Sequence, residues 1–233
     1  MTASATKAAP LNLDLLRTVP FHASPDAILL DPLRPLETPS EEFGTLRTNL
    51  AHLKAERNIR TVLITSSSPG EGKSFAAANL ALAEAQLAGN PTLLCDFDLR
   101  RSSLHRIFQL DREPGLSDYL LGRAGLSDVI QKVGEGSLFV MTAGAPVISP
   151  LELLHLDETR QLLEILSSRF RTVILDSPPL ASASDANLLA TLADGTLLVT
   201  RLGVTRVDEM SLAIQSLGQS NVLGIIANGG LRT

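Results

Sequence analysis

The stretch Ser67-Ser68-Pro69-Gly70-Glu71-Gly72-Lys73-Ser74 decides the fold. It follows an apolar run, Thr61-Val62-Leu63-Ile64-Thr65, and it leads into an alanine-rich segment from Phe75 to Leu87. Strand, glycine turn, Lys-Ser, helix is the context that a phosphate-binding loop requires. Glycines let backbone N–H groups close around phosphate oxygens, and a helix N-terminus adds its partial positive charge. Lys73 has the reach for the β- and γ-phosphates, and the Ser74 hydroxyl suits Mg²⁺. Ser67 stands where the usual pattern has its first glycine, a position that mainly shapes the turn. An ordinary Gly-Pro-Ser loop is the competing reading, and the strand and helix on either side argue against it.

Outward from this loop the chain alternates short apolar runs with helical segments. Strands are expected at Thr61–Thr65, Thr92–Cys95, Leu138–Met141, Thr172–Leu175, Thr196–Thr200 and Val222–Ile226. Most are continuously apolar, the pattern of a parallel sheet covered on both faces. Helices are expected around 75–88, 117–132, 151–168, 185–191 and 206–217. The fold expected is a three-layer α/β/α sandwich on a mostly parallel sheet, a P-loop NTPase architecture. Before it, Thr38-Pro39-Ser40-Glu41 signals a helix start: Thr38 as N-cap, Pro39 at the first helical position and Glu41 completing a capping box. Phe43, Leu46, Leu50 and Leu53 then form one apolar stripe. Gly44 within that helix costs about 1 kcal/mol relative to Ala. Residues 1–37 lack a sustained period and are expected to be a mostly irregular arm, docked through Leu29, Leu30 and Leu33. Residues 38–233 are expected to form the nucleotide-binding domain.

The bulk composition sets limits. The chain has 233 residues, of which 44% are hydrophobic and 19% charged, enough for one large α/β domain with a real core. A net charge of −5 without a basic block does not favour nucleic-acid binding. The one cysteine, Cys95, lies in an apolar run, so no disulfide or zinc site can be built within the chain. No apolar stretch approaches the ~20 residues of a membrane helix, and the N-terminus carries no signal core, so a cytoplasmic protein is expected. The Leu-rich segment 151–166 reads as a core helix. His22, His52, His105 and His155 have no metal-ligand spacing.

In parallel α/β sheets ligands sit at the carboxyl ends of the strands. Asp96-Phe97-Asp98-Leu99-Arg100-Arg101 follows one strand and Asp176-Ser177-Pro178-Pro179 another. Asp96 and Asp98 share a face if that strand continues, one to help hold Mg²⁺ through water and one to accept a proton from the nucleophile. An apolar run ending in Asp176 is the expected second metal-binding element. Taken singly, each Asp is more often a solvated loop or helix-capping residue. Arg100 and Arg101 can touch phosphates or acidic partners, although two adjacent arginines are usually a solvated corner. Glu71, a carboxylate beside phosphates, is expected to face solvent or a neighbouring subunit.

These elements resemble the Walker A, Walker A′ and Walker B motifs of the bacterial tyrosine kinases of capsule and exopolysaccharide synthesis. The resemblance rests on Ser67–Ser74, Leu93–Arg101 and Val173–Pro179. It continues in Gly115-Leu116-Ser117-Asp118, Ala143-Gly144-Ala145-Pro146, Pro150–Leu154, Ser184-Asp185-Ala186, Asp194–Val199 and Val222–Ile226, over about residues 38–230. It implies ATP and Mg²⁺ as cofactors. The nucleotide then lies against Ser68, Pro69, Gly70, Glu71, Gly72, Lys73, Ser74 and Phe75, with Asn228 reading adenine and Arg201 on the same rim. Lys73, Asp96 and Asp98 are the implied catalytic group; Ser74, Asp96 and Asp176 are the implied metal group.

The resemblance also implies a membrane polysaccharide chain-length regulator as activating partner, recruitment by it to the inner membrane, and homo-oligomers. Related septum-positioning and partitioning ATPases carry an early lysine in the loop where this chain reads Ser66-Ser67-Ser68-Pro69. Two departures stand out. The family's tyrosine-rich tail is not seen in residues 228–233, Tyr119 being the one tyrosine. The family's Glu-Arg-Arg ring motif reads Glu41, Gly44, Arg47. A kinase or ATPase is therefore expected first. A nucleotide switch without kinase activity comes second, and a partitioning or septum-positioning ATPase third.

Overall fold

The computed structural model describes residues 11–24, 27–30, 39–182, 184–218 and 221–229. Eight strands form one sheet: β1 (Thr18–Val19), β2 (Thr61–Ser66), β3 (Thr92–Asp96), β4 (Ile130–Val133), β5 (Leu138–Met141), β6 (Thr172–Asp176), β7 (Gly195–Arg201) and β8 (Val222–Asn228). Their order is β1-β4-β5-β3-β6-β2-β7-β8, and only the β4–β5 pair is antiparallel. The helices are α1 (Ser40–Arg57), α2 (Lys73–Ala85), α3 (Leu104–Ile107), α4 (Leu116–Leu120), α5 (Leu126–Val129), α6 (Pro150–Leu154), α7 (Asp157–Arg169), α8 (Ser184–Leu192) and α9 (Val207–Leu217).

The apolar runs are buried on both faces because alternate residues enter different cores. Val62, Ile64, Leu94 and Ile174 pack with α1 and α2. Leu63, Leu93, Cys95, Val173 and Leu175 pack with α7, α8 and α9 on the opposite face. This is the expected three-layer sandwich. The same alternation assigns Asp96 and Asp176, each two residues after Leu94 and Ile174, to the α2 face. The α1 stripe forms as expected: Phe43 and Leu50 are buried, and Leu46 and Leu53 pack against the same core. Arg47 donates from Nη1 to the Ala83 carbonyl at 2.9 Å, so it caps the last turn of α2.

Several local expectations change. Pro39 occupies the N-cap position of α1 rather than its first turn, and Thr38 lies outside the described residues, as does Leu33. The single helix expected over 117–132 is α4, α5 and then β4. Gly122, at φ +68°, takes a left-handed conformation that stops α4. Ile130 then pairs with Met141 through the tight connection at 134–137. The helix expected over 151–168 is broken at Leu156, which is extended (φ −62°, ψ 146°), and Asp157 and Glu158 open a new first turn. The arm is not wholly irregular. Leu11, Leu16 and Leu30 are buried, and β1 adds a parallel edge strand beside β4.

Candidate nucleotide-binding site

Register gathers the site. β3 and β6 are neighbours with Asp96 opposite Asp176, and β2 lies on the other side of β6 with Ile64 opposite Asp176. The phosphate loop leaves β2 at this level and enters α2. Gly70 and Gly72 hold φ values of +82° and +96°, and Gly72 is the N-cap of α2. A side chain at Gly72 would run into the Asn228 amide, so glycine is required there twice over. Lys73 and Ser74 are the first residues of α2, where the N–H groups of the first turn have no partner within the helix.

Lys73 Nζ lies 3.0 Å from Asp98 Oδ2, and both side chains are largely buried. Burial works to lower the Lys73 pKa, but the charges of Asp176, Asp98 and Asp96 outweigh it, and the net shift is upward. Asp96 is fixed by backbone donors. Asp98 N–H reaches Oδ1 at 3.2 Å, and the Ser103 and Leu104 N–H groups each reach Oδ2 at 3.0 Å. Burial and then the Asp176 charge raise the Asp96 pKa well above the ordinary carboxylate range despite those donors. Asp176 is fully buried, and neither of its oxygens has a hydrogen-bond partner. Its pKa is raised by burial. Lys73 pulls it back, and so does the nearby Ser74 hydroxyl, which falls short of full hydrogen-bond geometry.

Two orphaned buried carboxylate oxygens beside a serine hydroxyl fit a hard, oxygen-seeking cation. No group of three or more metal-ligating side chains forms among the described residues. Mg²⁺ takes one or two protein oxygens and completes its shell with water and phosphate. Ser74 and Asp176 would hold it directly, with Asp96 adjoining.

Other expected residues fall differently. Glu71 does not face solvent: it is 3% exposed, and its carboxylate accepts from Ser68 N–H at 2.9 Å and from the Thr205 hydroxyl. Phe75 packs edge-on against Phe43, centroids 5.8 Å apart, so its ring joins α1 to α2. The Asn228 amide donates to the Glu71 carbonyl at 2.9 Å, and Arg201 Nη1 approaches the Gly70 carbonyl at 3.5 Å. Both lie against the loop rather than apart from it. Ser68, Pro69 and Gly70 form the outer turn of that loop.

Arg100 is no free corner. It pairs with the buried Asp185 at 2.8 Å and ties the segment after β3 to α8. Asp185 was visible only as part of a motif, and nothing in the sequence marked Thr205. Cys95, next to Asp96, is fully buried, and burial pushes its thiol pKa far up.

No family model matches the chain. Tyrosine-protein kinase YwqD of Bacillus subtilis is 38% identical over 192 residues, covering 82% of this chain and 81% of that protein. The chain belongs to the bacterial tyrosine kinase family. Tyrosine-protein kinase etk of Escherichia coli is 39% identical over 202 residues, covering 85% of this chain, which spans only 27% of the length of Etk. The solved kinase domain of Etk superposes with a TM-score of 0.79 at 37% identity, over 85% of this chain and 80% of that one. A chimerical protein, CapA2B2, gives 0.79 at 32%, over 83% and 86%. The septum site-determining protein MinD of Pyrococcus horikoshii, solved with Mg-ADP, gives 0.59 at 22%, over 71% and 67%, a likeness of fold alone. The bacterial-tyrosine-kinase chain thus shares its fold with MinD and resembles the kinase domain of Etk more closely. No helix among its described residues is long and apolar enough to cross a membrane.

Proposed function

We propose that the chain is a Mg²⁺-ATP-dependent kinase or ATPase of exopolysaccharide or capsule biosynthesis. The observation that carries this reading is the β3–β6 register, which sets Asp96 opposite Asp176 beside Lys73 and Ser74. In this reading Lys73 exchanges Asp98 for the β/γ-phosphates, and the loop N–H groups hold the phosphate oxygens. Ser74 and Asp176 would hold Mg²⁺, which would supply positive charge against the developing negative charge of the phosphates. Asp96, with its raised proton affinity and fixed orientation, accepts the proton of the attacking hydroxyl. Asp98 steadies the Asp96 loop, and Asn228 and Arg201 line the adenine rim.

The partner in this reading is a membrane chain-length regulator that activates the kinase and recruits it to the inner membrane. The chimerical make-up of the solved relative CapA2B2 agrees with a domain that works joined to a second component. Membership in a family with relatives such as the putative tyrosine-protein kinase EpsB of Ralstonia solanacearum supports the polysaccharide context. Incubation with labelled ATP and Mg²⁺, with and without that regulator, tests the reading. Labelled protein or released phosphate that disappears in Lys73→Met supports it, and turnover equal to the parent's in that variant overturns it. A nucleotide switch without kinase activity is the second reading. It is favoured by Tyr119, which sits in α4 packed against the core instead of on a free segment.

A further inference from the structure

We propose that Glu71 and Thr205 form a latch that holds the phosphate loop in its nucleotide-ready shape and makes that shape depend on the turn between β7 and α9. The proposal rests on the nucleotide-binding reading above and assigns both residues a positioning role.

A glycine-rich loop gains its phosphate affinity only when its N–H groups converge, and glycine backbones lose much freedom in doing so. Here the carboxylate of Glu71 does the ordering from inside the loop. Its Oε2 accepts from Ser68 N–H at 2.9 Å, which closes the turn on itself. Its Oε1 accepts from Thr205 Oγ1, and that same hydroxyl accepts from Arg201 N–H at 2.7 Å. The Thr205 N–H in turn donates to the Arg201 carbonyl at 2.8 Å, so residues 201–205 form a closed turn. The Asn228 amide adds a third tie at the Glu71 carbonyl, and Leu202 N–H joins that strand end at the Asn228 carbonyl, 2.8 Å away. The loop is thus bound to the ends of β7 and β8, which lie outside its own strand–helix unit.

The charge of Glu71 gives the latch a second consequence. At 3% exposure the carboxylate has little water to solvate it, and it lies within the loop that receives phosphate. Its two donors, Ser68 N–H and the Thr205 hydroxyl, hold both of its oxygens in place. With Thr205 removed it loses one donor and becomes a loose negative charge beside incoming phosphates. Loss of the hydroxyl should therefore weaken nucleotide binding through a smaller fraction of competent loop.

Titration of the full chain with a fluorescent ATP analogue and Mg²⁺ tests this. Thr205→Val, which keeps the side-chain shape, is expected to raise the Kd about tenfold, roughly the worth of one hydrogen bond to a charged group. Thr205→Ser restores the affinity lost in Thr205→Val. Glu71→Ala weakens binding as well, and Glu71→Ala combined with Thr205→Val is no weaker than Glu71→Ala alone, because the two act through one contact. The loss is read in KM more than in kcat, which a general loss of folding would not produce. Parental affinity in Thr205→Val, or additive losses in the double variant, overturns the latch while leaving the nucleotide site standing. Failure of the parent chain to bind the analogue at all overturns both.

Discussion

Lys73 Nζ lies 3.0 Å from Asp98 Oδ2, so the loop lysine already has a buried protein carboxylate as counterion. The Lys73–Asp98 pair therefore contributes to the stability of the fold as well as to ligand binding. Lys73→Met is expected to lose most MgATP affinity and all turnover. It should also destabilise the chain by about 3 kcal/mol, since Asp98 is left buried without its partner. Thermal melts read the second effect. Lys73→Arg, which keeps the charge, should recover most of the stability.

Asp176 should affect stability and metal binding in opposite directions. Its carboxylate is fully buried with both oxygens unpartnered, a costly arrangement without a cation. Asp176→Asn is expected to raise the melting temperature in EDTA. It should also weaken MgATP far more than metal-free nucleotide. Nucleotide titrations with Mg²⁺ and with EDTA measure the contrast; equal losses would place Asp176 outside the metal shell.

The raised carboxyls of Asp96 and Asp176 set a pH dependence. Their folded-state pKa values lie above the unfolded ones, so the folded chain holds protons that the unfolded chain releases. Stability from this source is full below the ordinary carboxylate value of about 4 and is lost as pH rises toward neutrality and beyond. Melting temperatures in EDTA should therefore fall over that range. Saturating MgATP should flatten or reverse the slope, because the cation favours the charged carboxylates.

Asp96 is expected to matter for turnover more than for binding. Three backbone N–H groups orient it, and an amide can keep much of that geometry while losing the base. Asp96→Asn should lower the rate by roughly 10²–10⁴ with similar MgATP affinity. A rate within a few-fold of the parent would move the role to Asp98.

Tyr119 should not be an efficient acceptor. It lies in α4 and packs against the main core, and burial together with the Glu158 charge raises its phenol pKa. Presenting it to an active site would require α4 to unwind. Mass spectrometry after incubation with MgATP is expected to show negligible phosphate on Tyr119. Substantial phosphate, lost in Tyr119→Phe, would refute this.

Much of the arrangement at the candidate site was legible in the sequence because it is set by local pattern. The strand before Ser67, the glycines and the apolar runs ending at Asp96 and Asp176 are readable within a dozen residues. What the sequence hid was set by pairing with residues outside the local pattern. Ile130–Val133 looked helical until Leu138–Met141 supplied a strand partner. Glu71 looked solvent-facing because its second donor, Thr205, is more than a hundred residues away. Arg100 looked free because Asp185 sits in another helix.

The position of Cys95 has a practical consequence. It is the chain's one thiol, sealed in β3 beside Asp96 and disfavoured as a thiolate. A thiol reagent can reach it only when the central sheet opens. Its labelling rate in native buffer is thus a built-in clock for rare excursions from the folded state, with no probe to be engineered. Ligands that bridge β3 and β6 should slow that clock, whereas ligands bound only at the surface should leave it running at the same pace.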